Sequence, residues 1–297
     1  MKTTKKTPAL LLAAALILGL SALSYGQQQG KVLESLTMKS AIMKKDMKFT
    51  MYLPPDYDTS KRSYPIVYLL HGYSDDDTGW LQFGEVNQAA DKGIREGTIP
   101  PMIIAMPDGG VTWYMNDIKG EARWEDMFVK EFIPFIESQY RVKKAREFRG
   151  IAGLSMGGNG ATVLAMRHTD LFAACGALSS AYFTEQEIID MPDERYDSFF
   201  AALFGAGKGE QRLGENWKKY SAFELAKTKT EEIKKVRWWI DCGDDDFLYK
   251  GNDAMHSLLR DLNVPHEYRV RDGAHTWSYW RSGIVLALEF IGGSFHR

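Results

Sequence analysis

Glu147-Phe-Arg-Gly-Ile-Ala-Gly-Leu-Ser-Met-Gly-Gly158 decides the fold of this 297-residue chain. Its apolar run closes on Gly153-Leu154-Ser155-Met156-Gly157, and a helical pattern from Asn159 to Met166 follows at once. That is strand, tight turn, helix. In such a turn the serine occupies a strained corner with its hydroxyl turned away from the sheet. Glycines on either side leave room for chain that a Cβ would strike. The helix aims its first free N–H groups at whatever the serine binds, so the Met156 N–H is placed to stabilise a developing oxyanion. G-x-S-x-G is a common pentapeptide, and the strand before it and helix after it give it meaning.

A serine alone is a poor nucleophile, so the motif demands a histidine and an acid. Both follow in order. His275 sits in Arg271-Asp-Gly-Ala-His-Thr-Trp277 after a strand-like run, and Asp246 sits in Cys242-Gly-Asp-Asp-Asp-Phe-Leu248 after another. Nucleophile, acid, base is the chain order of the α/β-hydrolase fold, and unrelated folds with the same triad order it differently. Among the clustered acids Asp246 is preferred, because Phe247-Leu248 is expected to anchor the loop just after it. Asp244 and Asp245 are the alternatives, and Asp241 belongs to the strand end.

Outward from this centre, length and composition fit one catalytic domain. At 44% hydrophobic and 26% charged the chain has ordinary globular composition. A formal net charge of -2, with no basic stripe or zinc-finger spacing, argues against a nucleic-acid surface. Residues 1–26 differ: Lys2, Lys5 and Lys6 precede an apolar run from Ala9 to Leu20, then small residues. This reads as an export signal too short for a membrane span, which places residues 27–297 in the periplasm or outside the cell, with no stable membrane insertion once the signal is removed. Cys175 and Cys242 lie near strand ends and read as small buried side chains, with a bridge open if the two strands are neighbours.

The chain order predicts a mostly parallel central sheet flanked by helices. An edge hairpin is expected around Lys44-Lys45-Asp46, and central strands at Tyr64–Leu70 and Pro101–Pro107. Further strands are expected at Leu171–Leu178, Lys235–Ile240 and His266–Val270. Trp124 to Tyr140 reads as a helix that bends at Pro134, and Lys143, Lys144, Arg146 and Arg149 as a solvated connector. The loop His71-Gly72-Tyr73 follows a central strand, where the Tyr73 N–H is the expected second oxyanion donor and His71 orders the loop. Residues 181–234 lose the strand–helix rhythm and read as an insertion covering the cleft. No phosphate-loop ending, metal-ligand spacing or repeat appears, so neither cofactor nor metal is expected.

Taken together, the nucleophile motif, the His71-Gly72 loop, Asp108-Gly109, the Trp124–Tyr140 helix, Cys242–Leu248 and Asp272–Trp277 resemble the putative-esterase family. That family includes feruloyl and acetyl xylan esterases of carbohydrate esterase family 1 and esterase D-type S-formylglutathione hydrolases. The resemblance runs from about Leu33 to the end. It implies Ser155 as nucleophile, Asp246 as acid, His275 as base, and Tyr73 with Met156 as oxyanion donors. It further implies ester hydrolysis, with an acylated oligosaccharide or another small ester as the partner; export removes cytosolic formylglutathione. The chain departs from the family in its acidic Asp75-Asp76-Asp77 run and in carrying no attached carbohydrate-binding module. Trp113 and Trp277, placed after strand ends, are the expected substrate contacts, whereas Trp80 and Trp280 are read equally as buried supports. A secreted acyltransferase with the same triad, a general esterase, peptidase or thioesterase, and a non-catalytic glycan-binding domain are the alternative functions.

Overall fold

The strand-like runs of the sequence assemble into one eight-stranded sheet of the order β1-β2-β4-β3-β5-β6-β7-β8 in the computed structural model, which describes residues 29–295. The export segment expected at 1–26 lies outside those residues. The strands are β1 (Lys31–Ser40), β2 (Lys45–Leu53), β3 (Ile66–Leu70), β4 (Ile103–Pro107), β5 (Arg149–Leu154), β6 (Ala174–Leu178), β7 (Arg237–Gly243) and β8 (His266–Arg271). β1–β2 and β2–β4 pair antiparallel and every other pair is parallel. This is the mostly parallel α/β-hydrolase sheet with an antiparallel hairpin at its edge.

The central strands are apolar without alternation because both faces are covered. Along β3, Ile66, Tyr68 and Leu70 enter one core while Val67 and Leu69 enter the other. The first core is closed by the helices over Trp124–Gln139, Met156–Arg167 and Tyr249–Asp261, the second by Val86–Glu96 and Trp277–Gly292. Around Pro134, where a bend is expected, the structure shows a change of helix type. The helix widens into a π turn at Phe128–Phe132 before resuming as Ile133–Gln139. Pro134 has no N–H for the Lys130 carbonyl, and the wider turn redistributes the bonds around that gap.

One expectation fails in the connector before β5. Arg149 is not solvated: it is buried at the start of the strand, donates through Nε and Nη2 to Glu137 Oε1 at 2.9 and 2.6 Å, and also meets the carbonyls of Leu171 and Lys144. A guanidinium tolerates that depth only because its donors are this fully engaged.

Between β6 and β7 the chain forms short helices stitched by buried polar groups. Arg212 reaches the carbonyls of Ile188 and Met191 and pairs with Asp193. Tyr220 donates to Glu125 Oε2 at 2.8 Å, while Glu125 Oε1 takes Arg167 Nε at 2.7 Å and His168 Nε2 at 2.8 Å. Burial alone would raise the Glu125 carboxyl, but these donors outweigh it and hold the group down at about 2.

The two cysteines sit on neighbouring strands, yet they do not meet. Cys175 pairs with Trp238, four positions before Cys242, which itself pairs with Val270. Both are free and buried, and burial pushes both thiols up. The register also fixes the ends of the described chain. Lys31 lies opposite Leu53, whereas Phe49 lies opposite Pro107 at the carboxyl end of β4. Residue 31 is therefore at the amino edge of the parallel strands. Ile291 and Phe295 approach Gly150 near the start of β5, so the carboxyl end lies at that same edge.

Candidate active site

In an open parallel sheet, ligands bind beyond the carboxyl ends of the strands, where the strand order reverses. Here the order reverses between β3 and β5, so the loops after these two strands face the same crevice.

The turn after β5 is sharp because its surroundings leave no room. A Cβ on Gly153 would come within 2.4 Å of the Gly157 carbonyl oxygen, and one on Gly157 within 2.5 Å of the carbonyls of Leu70 and His71. Between them Ser155 adopts φ 53°, ψ -118°, backbone angles that L-residues avoid. Its N–H donates to Leu178 and its carbonyl accepts from Asn159 and Ala181, so the corner is held from both sides. The strain aims Oγ out of the sheet.

His275, in the loop after β8, places Nε2 3.0 Å from Ser155 Oγ. Its Nδ1 lies 2.9 Å from Asp246 Oδ2 and 3.1 Å from Oδ1. An ionised carboxylate only accepts, so Nδ1 carries the proton and Nε2 is free to receive one from the serine. Asp246 is 1% exposed. Burial acts to raise its carboxyl, but His275 and the Leu248 N–H more than offset this and hold it below the usual carboxylate range. The neighbouring acids point elsewhere. Asp244 accepts the Gly273 N–H, and Asp241 is buried in a two-point pair with Arg271. Asp244 and Asp245 gather with Asp272 into an exposed carboxylate group at the loop surface.

Tyr73 occupies a turn closed by Asp75 N–H to the Gly72 carbonyl, with Ser74 at φ 62°. Among the hydrogen bonds of the described residues, neither the Tyr73 nor the Met156 N–H has an acceptor, and both residues line the crevice. His71 stays out of that crevice, as expected of a residue that orders the loop. Its Nε2 accepts the Gly109 N–H at 2.8 Å, and Nδ1 therefore donates to Gly72 O at 2.8 Å. The acidic run that follows divides its work. Asp75 lines the crevice, Asp76 caps Thr78, and Asp77 is buried against the Thr50 hydroxyl.

The crevice is a cavity of about 440 Å³. Trp277 lines it and is partly exposed. Trp113 also lines it but is 4% exposed, wedged among Tyr73, Phe183, Phe199 and Phe200 with its backbone at φ 55°. Of the two tryptophans read as equal candidates for support, Trp80 is wholly buried and donates to the Leu70 carbonyl. Trp280 donates to Ser179 Oγ and stands edge-on to His275 at 4.8 Å, so it backs the imidazole while touching the cavity. Phe247 corrects an expectation. Of the pair expected to anchor the loop, Leu248 does so, being buried, whereas Phe247 is 64% exposed with its ring centroid 4.6 Å from that of His275. Sequence reasoning also missed Phe83, Phe183, Arg195 and Phe199, all on the cavity wall. Phe83 and Phe183 sit in connecting stretches and Arg195 and Phe199 on the short helix Asp193–Phe199, none with a motif that would have singled it out.

Comparison with known proteins bears on this arrangement. The profile of the family described as "Putative esterase" matches residues 40–291. A solved ferulic acid esterase superimposes with a TM-score of 0.76 at 33% identity, covering 90% of this chain and 99% of that one. The chain is similar to an acetyl esterase of Caldicellulosiruptor saccharolyticus, 26% identical over 85% of this chain and 95% of the relative. It is 28% identical to an esterase of Mycobacterium tuberculosis over 76% of this chain, but spans about half (51%) of that relative's length. A match to the family profile over most of its length, on an α/β-hydrolase sheet, makes this chain a member of the putative-esterase family.

Proposed function

We propose that this protein is an exported serine ester hydrolase that removes acyl groups from plant cell-wall oligosaccharides of the xylan type, feruloyl or acetyl. The observation that carries the reading is the continuous relay Ser155 Oγ, His275 Nε2, His275 Nδ1, Asp246 at the mouth of an aromatic cavity. The ester carbonyl oxygen sits between the Tyr73 and Met156 N–H groups. Ser155 Oγ attacks the carbonyl carbon as its proton passes to His275 Nε2, and the oxyanion takes the two amide hydrogen bonds. Collapse of the tetrahedral adduct breaks the bond to the alcohol oxygen, which leaves with the proton from Nε2. Water then attacks the acyl-serine, giving a proton to the same nitrogen; the second adduct collapses, Ser155 Oγ leaves with that proton, and the acid is freed. Asp246 holds the imidazole in the accepting tautomer and stabilises the imidazolium without itself taking the proton. The segment between β6 and β7, which puts Phe183, Arg195 and Phe199 on the cavity wall, acts as the lid.

The test compares kcat/KM for feruloylated arabinoxylan fragments, acetylated xylo-oligosaccharides and acetyl esters lacking sugar. Trp277→Ala is the variant of choice, because Trp113→Ala would hollow a buried aromatic cluster as well as remove a contact. A preference for sugar-bearing esters that shrinks in the variant is expected. Equal handling of all three, unchanged by the substitution, leaves a general exported esterase.

A further inference from the structure

The relay has a direction. His275 must return its proton to the leaving oxygen, so that oxygen lies on the Nε2 side of Ser155 and the rest of the alcohol runs out past the imidazole. The carbonyl oxygen takes the oxyanion amides, which leaves the acyl chain the side of the cavity beside Tyr73, where Trp113 and Phe199 pack against that residue and Phe183 against Trp113.

The surroundings of His275 are unusual for a soluble surface. One neighbour is Phe247, its ring centroid 4.6 Å away and its surface 64% exposed. Beyond the supporting Trp280 lies Trp277, and Phe83 lies 5.7 Å from it, tilted by 37° and 50% exposed. Trp277 is in turn fixed edge-on by the buried Trp80 at 5.4 Å. All three partly exposed rings line the cavity. Exposed aromatics joined through His275 and Trp280 at the mouth of a cleft mark a binding surface, because a single packed core has no use for them there.

We infer that Phe83, Phe247 and Trp277 form the alcohol subsite, an apolar rim that takes a ring-shaped alcohol through its C–H face, as a pentose or hexose presents it. Phe199 is assigned to the acyl wall, because it packs edge-on at 4.8 Å against Tyr73, the residue of one oxyanion amide, and comes from the segment between β6 and β7. The inference rests on Ser155 and His275 acting as nucleophile and base.

The experiment is a two-by-two set of esters, acetyl or feruloyl on methanol or on a xylosyl alcohol, cleaved by wild type, Phe83→Ala, Phe247→Leu and Phe199→Ala. Ratios of kcat/KM are read, so a loss common to all substrates cancels. The wild type should prefer the xylosyl alcohol. Phe83→Ala and Phe247→Leu should each cut that preference by about 3- to 10-fold, the size of one aromatic-face contact, and leave the feruloyl-to-acetyl ratio within about 2-fold, because the acyl group points away from them. Phe199→Ala should do the reverse. Phe247→Leu keeps apolar bulk beside His275 and removes the flat face, and circular dichroism confirms folding. An alcohol preference that is absent in wild type, untouched by both rim variants, or lost only in Phe199→Ala overturns the inference. A folded wild type that cleaves none of the four overturns the esterase reading itself, which is a separate result.

Discussion

Ser155 and His275 are legible as single residues because each is embedded in a short pattern that chemistry constrains: a crowded corner for one, a loop after an edge strand for the other. Asp246 is harder, since three consecutive aspartates share its loop and only backbone placement separates them. In the structure Asp244 spends its carboxylate on Gly273 N–H, and Asp246 faces Nδ1. We therefore expect Ser155→Ala and His275→Ala to lower kcat/KM on an activated acetyl ester by about 10⁴-fold or more, and Asp246→Asn by about 10⁴-fold. Asp244→Asn and Asp245→Asn should stay within about 10-fold of wild type, since neither carboxylate meets His275. If Asp244→Asn were the most damaging of the three, the acid would move to that position. What a single residue could not disclose is exposure. Phe247 and Leu248 are adjacent apolar letters, and only the folded chain shows that one is buried and the other stands in the open.

Elements are legible where one force dominates. β3 and β4 are buried on both faces, so hydrophobicity alone writes them; β5 follows from the corner it feeds. The segment between β6 and β7 is different, because buried polar contacts hold it and these leave no periodicity. The burial of Arg149 is hidden from the sequence for the same reason: its partners Glu137, Lys144 and Leu171 are distant or main-chain. Glu125 is the clearest case. It joins the helix beginning at Trp124 to Arg167, His168 and Tyr220, and its carboxyl is lowered from 4.5 to about 2. A depressed carboxylate stabilises the fold fully above its unfolded value and loses that contribution as pH falls through the folded one. That linkage is worth on the order of 3 kcal/mol at neutral pH. Urea midpoints of wild type and Glu125→Gln should differ at pH 7 and converge as pH falls from about 5 toward 2. A gap that does not change with pH would mean that the residue contributes through packing alone.

At the scale of the whole molecule, chain order announces the α/β-hydrolase sheet, but not the strand register. Cys175 and Cys242 show the difference. Neighbouring strands were foreseeable as a possibility, while an offset of four positions was not, since nothing local encodes how far parallel strands slide. Protein purified under oxidising conditions should give two titratable thiols once denatured, and its thermal midpoint should be the same with and without reductant. A single disulfide by mass would contradict the register.

The pairing of β1 with β2 and of β2 with β4 sends residue 31 to the amino edge of the sheet, and residues 291–295 reach the same edge beside Gly150, opposite the crevice. Either end can therefore serve as a leash. Anchored to a bead, a scaffold or a neighbouring module at that edge, the molecule turns its mouth outward, toward the polymer-linked ester that the proposed function calls for. Coupling through the loops after β3, β5 or β8 would press that mouth against the support. Immobilised preparations made by the two routes should differ in their access to fibre-bound esters and much less in their turnover of a small soluble one.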